Sequence, residues 1–376
     1  MSRILISPPF FFFIGSSIYM VIPWAMYNLN YLDVDFLIRA TENHIQNGYH
    51  YNTMLFDYFV MNMSFFSGYI IATRFNFKRS SSLINLDNFP LAKNFIFFSL
   101  LSITTIAISK VYLAGIVPFL GYQFKPELLG PIATVCFTTM WFFHYTENKK
   151  FIYLFLIASF WLIGLGSRMF VFLPMLSMLI YAIYIFPRKA IKIIIIASII
   201  VMFFVVVGVI RQGWKINIES FLGVIFAEPI FTSLGALYYI DTGRDIVNIP
   251  VDLVAASVNF IPSFIFPNKV EVMTLFTYSD RIHNPIGAQA LIVSLYHNFG
   301  MFYPFFLSGV GFYFGMLLKN IHVRFYKAVY FSSLPFLLIH FQREGFVTFF
   351  KVIFFNALIF PLILIVILRF ILIEKK

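Results

Sequence analysis

Arg211-Gln212-Gly213-Trp214-Lys215 opens, and Tyr296-His297-Asn298-Phe299-Gly300 closes, the one long stretch of this chain with a mixed composition. Elsewhere the polar interruptions between apolar runs are short. Between Arg211 and Gly300 fall seven of the sixteen acidic residues and two of the seven histidines. The rest of the chain supplies the context. It has 376 residues, 60% hydrophobic and only 11% charged, with a mean hydropathy of +0.87. A soluble domain carries about 25% charged residues. A chain this poor in charge cannot cover its own surface with polar groups, so lipid must be its main solvent.

Working outward, apolar runs of roughly the 20 residues needed to cross a hydrocarbon core recur. They fall at about 9–28, 53–72, 94–116, a fourth ending at Tyr145, 151–166, 169–186, 193–210, 301–318, 328–341 and 349–371. The charge order at the N-terminus is that of a signal peptide, but no small-x-small cleavage site follows, so the first run reads as an uncleaved span. Within the mixed stretch, 221–240 is apolar enough to be a further span but contains Glu228-Pro229; 251–266 is apolar with Pro262 near its end. Parity requires that both cross or neither does. Amphipathic or re-entrant helices at the outer surface are preferred, with a crossing pair as the alternative. The expected fold is an all-α integral membrane protein, one polytopic helix bundle of about 10–12 transmembrane helices with a large outward-facing loop region at 211–300.

The net charge of +11 does not indicate nucleic acid. The basic residues cluster in short hinges: Arg74, Lys78, Arg79 and Lys93; Lys149 and Lys150; Arg188, Lys189 and Lys192; Lys319, Arg324 and Lys327. That is the positive-inside pattern, and no basic tract with interleaved stacking aromatics lies outside the apolar runs. With the hinges inside, both termini are cytoplasmic and 211–300 faces out. The lone Cys136 lies in an apolar run and cannot form an intrachain disulfide.

No Walker A loop, GxSxG, HExxH or CxxC occurs, and no dense carboxylate cluster suggests a metal; Asp33-Val34-Asp35 is the nearest approach and does not amount to a site. What recurs is a single arginine at the outer end of a span. Arg168 ends the fifth, Arg211 the seventh, and Arg343 sits at the turn between the last two; Arg244 and Arg281 lie in the mixed stretch. A guanidinium matches phosphate oxygens and keeps its charge in a low dielectric. The plain alternative is an arginine snorkelling into the headgroups. His283 and His297, each followed by Asn, could take a proton from a hydroxyl at an outer surface, or could merely cap a turn. Glu228 is a lone acid in an apolar segment and needs a basic or polar partner. Asp57 reads as interfacial, His144 and His340 as packed, and His322 as solvated. Trp214 and Tyr238-Tyr239 could stack on sugar rings or belong to an interfacial belt.

From about Phe151 onward the chain resembles the Wzy-type O-antigen polymerases, which join oligosaccharide repeat units in bacterial inner membranes. The resemblance rests on Gly164-Leu165-Gly166-Ser167-Arg168, on Arg211 closing a long apolar span, and on Ile261-Pro262-Ser263 to Pro267. It also rests on His283-Asn284-Pro285-Ile286-Gly287 followed by Tyr296 to Gly300, and on Arg343-Glu344-Gly345 before the last run. The first 150 residues carry none of it. The His283-Asn284 to Gly300 piece also looks like the outer-loop signature of O-antigen ligases. The resemblance implies a GT-C-like architecture. It implies a substrate of undecaprenyl-pyrophosphate-linked oligosaccharide taken at the periplasmic face, no metal or other cofactor, and a flippase and chain-length regulator as partners. By this mapping Arg168, Arg211 and Arg343 hold pyrophosphate, and His283 accepts the acceptor's proton, with Glu228 or His297 as substitutes. Arg281 positions the chain, and Arg244, Asn284 and Trp214 complete the substrate contacts. A ligase is the nearest alternative. A transporter would show charged residues lining a path and an inverted repeat, and the spans read as mostly clean with no repeat.

Overall fold

The computed structural model describes residues 2–28, 49–75, 90–119, 126–211, 215, 217–241, 244–259, 261, 266–269, 271–272 and 289–373. Among them the chain is entirely helical. Seven helices are long and apolar enough to cross a bilayer, which makes this a multi-pass membrane protein. Helix α1 (Pro8–Ser16) runs through a π-helical turn, Ser17–Val21, into Ile22–Asn28. The next helices are α2 (Tyr49–Arg74), α3 (Pro90–Leu113), α4 (Pro126–Thr146), α5 (Lys150–Gly164), α6 (Met169–Ile185), α7 (Ala190–Arg211) and α8 (Ile218–Asp241). There follow α9 (Val251–Asn259), α10 (Leu291–Phe299), α11 (Tyr303–Lys319), α12 (Arg324–Ser333) and α13 (His340–Arg343). The last is α14 (Phe346–Phe350), which continues through a π-helical stretch, Lys351–Ile359, into Phe360–Ile373.

The runs 151–166 and 169–186 match α5 and α6 to within two residues, whereas the run 328–341 does not form one helix. Helices α5 and α6 hold 15 and 17 residues, and 15 residues reach only about 22 Å. Gly166, at φ 94°, ends α5 in a left-handed turn, and Pro187 stops α6. The run 328–341 is not one helix. Pro335 breaks it into α12, a 3-10 turn at Leu334–Leu337, and α13.

Close packing is built from small residues. Helices α2 and α11 run side by side in the same direction. Tyr303 meets Asp57 at one end, Ser308 meets Ser64 and Ser67 in the middle, and the Lys319 ammonium reaches the Thr73 carbonyl at the other. Ser64, Gly68 and Ala72 recur every fourth residue on α2, and Gly311 and Gly315 do so on α11. A β-carbon on Gly68 would stand 1.8 Å from the Ser308 carbonyl oxygen, and one on Gly311 2.0 Å from that of Phe65. In lipid no hydrophobic force drives helices together, so this backbone approach is what holds the pair.

The bundle has two chemically distinct ends. At the hinge end, Lys327 pairs with Glu147 at 2.7 Å and the Tyr181 hydroxyl donates to the same carboxylate at 2.8 Å, tying α12, α4 and α6 together. Lys327 and Tyr181 lower the Glu147 carboxyl below its usual range. The other end gathers the start of α2, the α5–α6 turn, the tip of α7, the α10–α11 junction and Arg343.

Helix α8 lies across that second end. Near its start it touches the tip of α7 beside Gly208. In its middle Glu228 meets Arg343. Farther on, Ala236 packs with Tyr19, Met54 and Leu291, and Tyr239 bonds to Asp245 next to His297. Both halves of α8 therefore contact the same end of the bundle. It is also the most buried of the seven long apolar helices, at 56%. The segment 221–240 is one continuous helix, and its apolar residues do not gather on a single face. Helix α9, with nine residues, is too short to cross a membrane.

Candidate functional site

Along its length α8 brings together three groups of polar side chains. The first is Arg168, which opens α6 just after the glycine turn. Its Nη1 donates to the Phe204 carbonyl of α7 at 3.2 Å. The guanidinium can lie there only because residue 208 has no side chain. A β-carbon on Gly208 would be 2.1 Å from Arg168 Nη1 and 2.8 Å from Val224 of α8.

One helical turn along the same face of α8, Glu228 forms an ion pair with Arg343. Arg343 also contacts its neighbour Glu344, at 3.0 Å. Burial raises the Glu344 carboxyl and the Arg343 charge opposes that rise. The turn is pinned by Gln289, whose amide donates to the Arg343 carbonyl at 2.8 Å.

The third group lies about 17 Å farther along the helix, eleven residues at 1.5 Å each. Tyr239 donates to Asp245 Oδ2 at 2.7 Å, and that oxygen is 3.8 Å from His297 Nδ1. His297 Nε2 is buried with no hydrogen-bond partner among the described residues. Asn298 clamps α9 by bonding both the Asp252 amide and its carboxylate, at 2.9 and 2.8 Å. Burial raises the Asp252 carboxyl against the opposing pull of that bond and of His297. At Gly300, φ is 53° and an added β-carbon would be 2.2 Å from the Ile246 carbonyl oxygen. Only glycine fits where the α8–α9 connection crosses the α10–α11 junction.

Beneath this third group sits a fully buried acid. Asp57 of α2 pairs with Arg244 at 2.9 Å and accepts from the Tyr296 hydroxyl at 3.0 Å. Arg244 Nη1 donates to the Tyr296 oxygen at 2.7 Å, and its guanidinium carbon lies 4.8 Å from the ring centroid. Asp57 is thus buried and not interfacial, and Arg244, read from the sequence as a substrate contact, pairs with it. A lone carboxylate in a span needs such a partner.

Of the residues singled out from sequence, Arg168, Glu228, Arg343, Arg244 and His297 are all found at this end. Arg211 closes α7 there, and only its backbone is described. Trp214, Arg281, His283, Asn284 and Asp33-Val34-Asp35 lie outside the described residues. His144 and His340 are packed as expected. His144 Nε2 is 2.6 Å from the Ser177 hydroxyl, and His340 sits among Phe170, Phe336 and Phe349. Sequence reasoning missed Gly208 and Asp245 as members of the site, and gave Tyr296 and Glu344 no role of their own within the motifs that contain them. Among the described residues no group of three His, Cys, Asp or Glu could hold a metal. No protein-family model matches this chain, and neither a curated protein nor a solved structure gives a significant match.

Proposed function

We propose that this protein is a membrane glycosyltransferase of the bacterial inner membrane. It polymerises undecaprenyl-pyrophosphate-linked repeat units into O-antigen or a related surface polysaccharide at the periplasmic face. The observation that carries this reading is that Arg168 and Arg343 lie at the same end of the bundle, Arg168 beside Gly208 of α7 and Arg343 paired with Glu228 of α8. Two guanidiniums at one end suit the two phosphoryl groups of a pyrophosphate, each able to bind oxygens in a fork. The positive-inside rule puts this end outside, because the other end carries the basic hinges.

The chemistry follows from the placement. The sugar C1–O bond to the lipid pyrophosphate breaks as an acceptor hydroxyl attacks C1, and the pyrophosphate leaves with the bonding pair. Arg168 and Arg343, with Arg211 at the tip of α7, stabilise the charge that grows on it. An imidazole takes the acceptor's proton, and His283 is the candidate on the resemblance. Arg168 and Arg343 mark the donor's pyrophosphate; the Asp245–His297 pair, about 17 Å farther along α8 (eleven residues at about 1.5 Å), is out of reach of the C1 bonded to that pyrophosphate and is placed to contact a more distant part of the acceptor chain.

Deletion of the gene tests the class. A polymerase deletion leaves lipid A carrying a single repeat unit, restored to a ladder by the wild-type gene. A deletion that leaves lipid A bare identifies a ligase, and an unchanged ladder rules out both.

A further inference from the structure

We propose that Glu228 occupies the anion seat of Arg343 in the ligand-free protein and gives it up to a phosphoryl group, α8 bending at Pro229 as it does so; this rests on the pyrophosphate reading above. Arg343 is held by two carboxylates, Glu228 from α8 and Glu344 from its own turn. Two acids on one guanidinium leave an excess of negative charge in a site where the three side chains are only 20–37% exposed. Uncompensated charge in such surroundings is costly. Burial raising the Glu344 carboxyl is one sign of that cost.

The two acids are not equally able to leave. Glu344 follows Arg343 in the chain and stays beside it. Glu228 belongs to another helix and is the most exposed of the three, at 37%. It also directly precedes the proline inside α8. Pro229 has no N–H for the Ile225 carbonyl, and the Thr232 hydroxyl bonds back to the Glu228 carbonyl at 2.8 Å, which bends helices. The segment 218–228 can therefore tilt without disturbing 230–241. Arg343 has donor capacity in reserve, since its Nε–H is buried and has no acceptor among the described residues. A phosphoryl group carries more charge than a carboxylate and fits the guanidinium fork. Glu228 thus keeps the cationic seat closed until a ligand of higher charge arrives.

The test uses the full-length protein in detergent, with inorganic pyrophosphate titrated by calorimetry, and undecaprenyl pyrophosphate in the same detergent as a second probe. Glu228→Gln removes the internal competitor, so pyrophosphate should bind about tenfold more tightly than to wild type. Glu228→Asp, which keeps the charge but withdraws it from Arg343, should fall between the two and guards against misfolding of the first variant. Arg343→Gln should abolish the gain in the Glu228→Gln background. Equal or weaker binding by both Glu228 variants overturns the gate and leaves the pyrophosphate site standing. Binding that is absent for both probes, or indifferent to Arg343→Gln, overturns the gate together with the reading beneath it. A gain seen with the lipid-linked probe and not with the free anion supports the gate and assigns it to a lipid headgroup.

Discussion

The Arg168 guanidinium fills the place where a β-carbon on Gly208 would stand, 2.1 Å from its Nη1. Gly208 is in a helix of uniformly apolar residues and touches nothing chemical by itself; its role is to leave space. Gly208→Val should therefore push the guanidinium out from between α7 and α8. A misplacement of about 1 Å can cost on the order of a hundredfold in rate. The polysaccharide ladder should collapse in Gly208→Val as in Arg168→Ala, at equal membrane abundance, and the double variant should be no worse than either. A full ladder from Gly208→Val would mean that the position of Arg168 does not matter.

The buried pair of Asp57 and Arg244 should behave as a structural tie. Taking away one partner of such a pair costs about 3 kcal/mol or more, because the other charge is left behind. Asp57→Leu should lower the unfolding temperature in detergent sharply. Asp57→Leu with Arg244→Leu should recover most of the loss. No recovery would show that the damage comes from lost volume or from Tyr296 rather than from an orphaned charge.

At the hinge end the pH dependence has a definite sign. Lys327 and the Tyr181 hydroxyl hold the folded Glu147 carboxyl below its ordinary value of 4.5. The pair's contribution is then fully present above pH 4.5 and is lost as the pH falls through the lower, folded-state value. Lys327→Met should remove that part of the acid sensitivity. Melting temperatures between pH 3 and 6 check this, and identical acid profiles for the two proteins would contradict it. The effect should be small, since Glu147 is largely exposed to solvent, which screens the pair.

His283 is the proposed base, and the pH profile of turnover separates it from His297. Loss of a general base lowers the rate by about 10²–10⁴. His283→Gln should remove the acidic limb of the profile, whereas His297→Gln and Asp245→Asn should leave that limb in place, Asp245 and His297 belonging to the scaffold that joins α8, α9 and α10. Loss of the limb in His297→Gln and not in His283→Gln would overturn this assignment.

Composition with recurring apolar runs of roughly 20 residues was enough to read a helical membrane protein, because such runs satisfy their backbone in lipid as helices. Composition could not tell how α8 lies. A helix laid across the end of a bundle and buried by it is as apolar as one that spans, and only its contacts separate the two. The glycine turn before Arg168 was legible as a motif, but the matching gap at Gly208 was not, since it depends on how α6, α7 and α8 meet. The Asp57–Arg244 pair joins residues 187 positions apart. Sequence gives each of them a need for a partner without saying which. The run 328–341 was read as one span because hydropathy passes through Pro335, whereas the helix does not.

The central claim is tested most directly by purified protein in liposomes supplied only with an undecaprenyl-pyrophosphate-linked repeat unit, followed by glycan chain length and lipid product. The account predicts polymer of several repeat units with release of one undecaprenyl pyrophosphate per linkage, without added nucleotide or metal, and none from Arg168→Ala. Unchanged repeat units from wild-type protein, or equal polymer from Arg168→Ala, would contradict it.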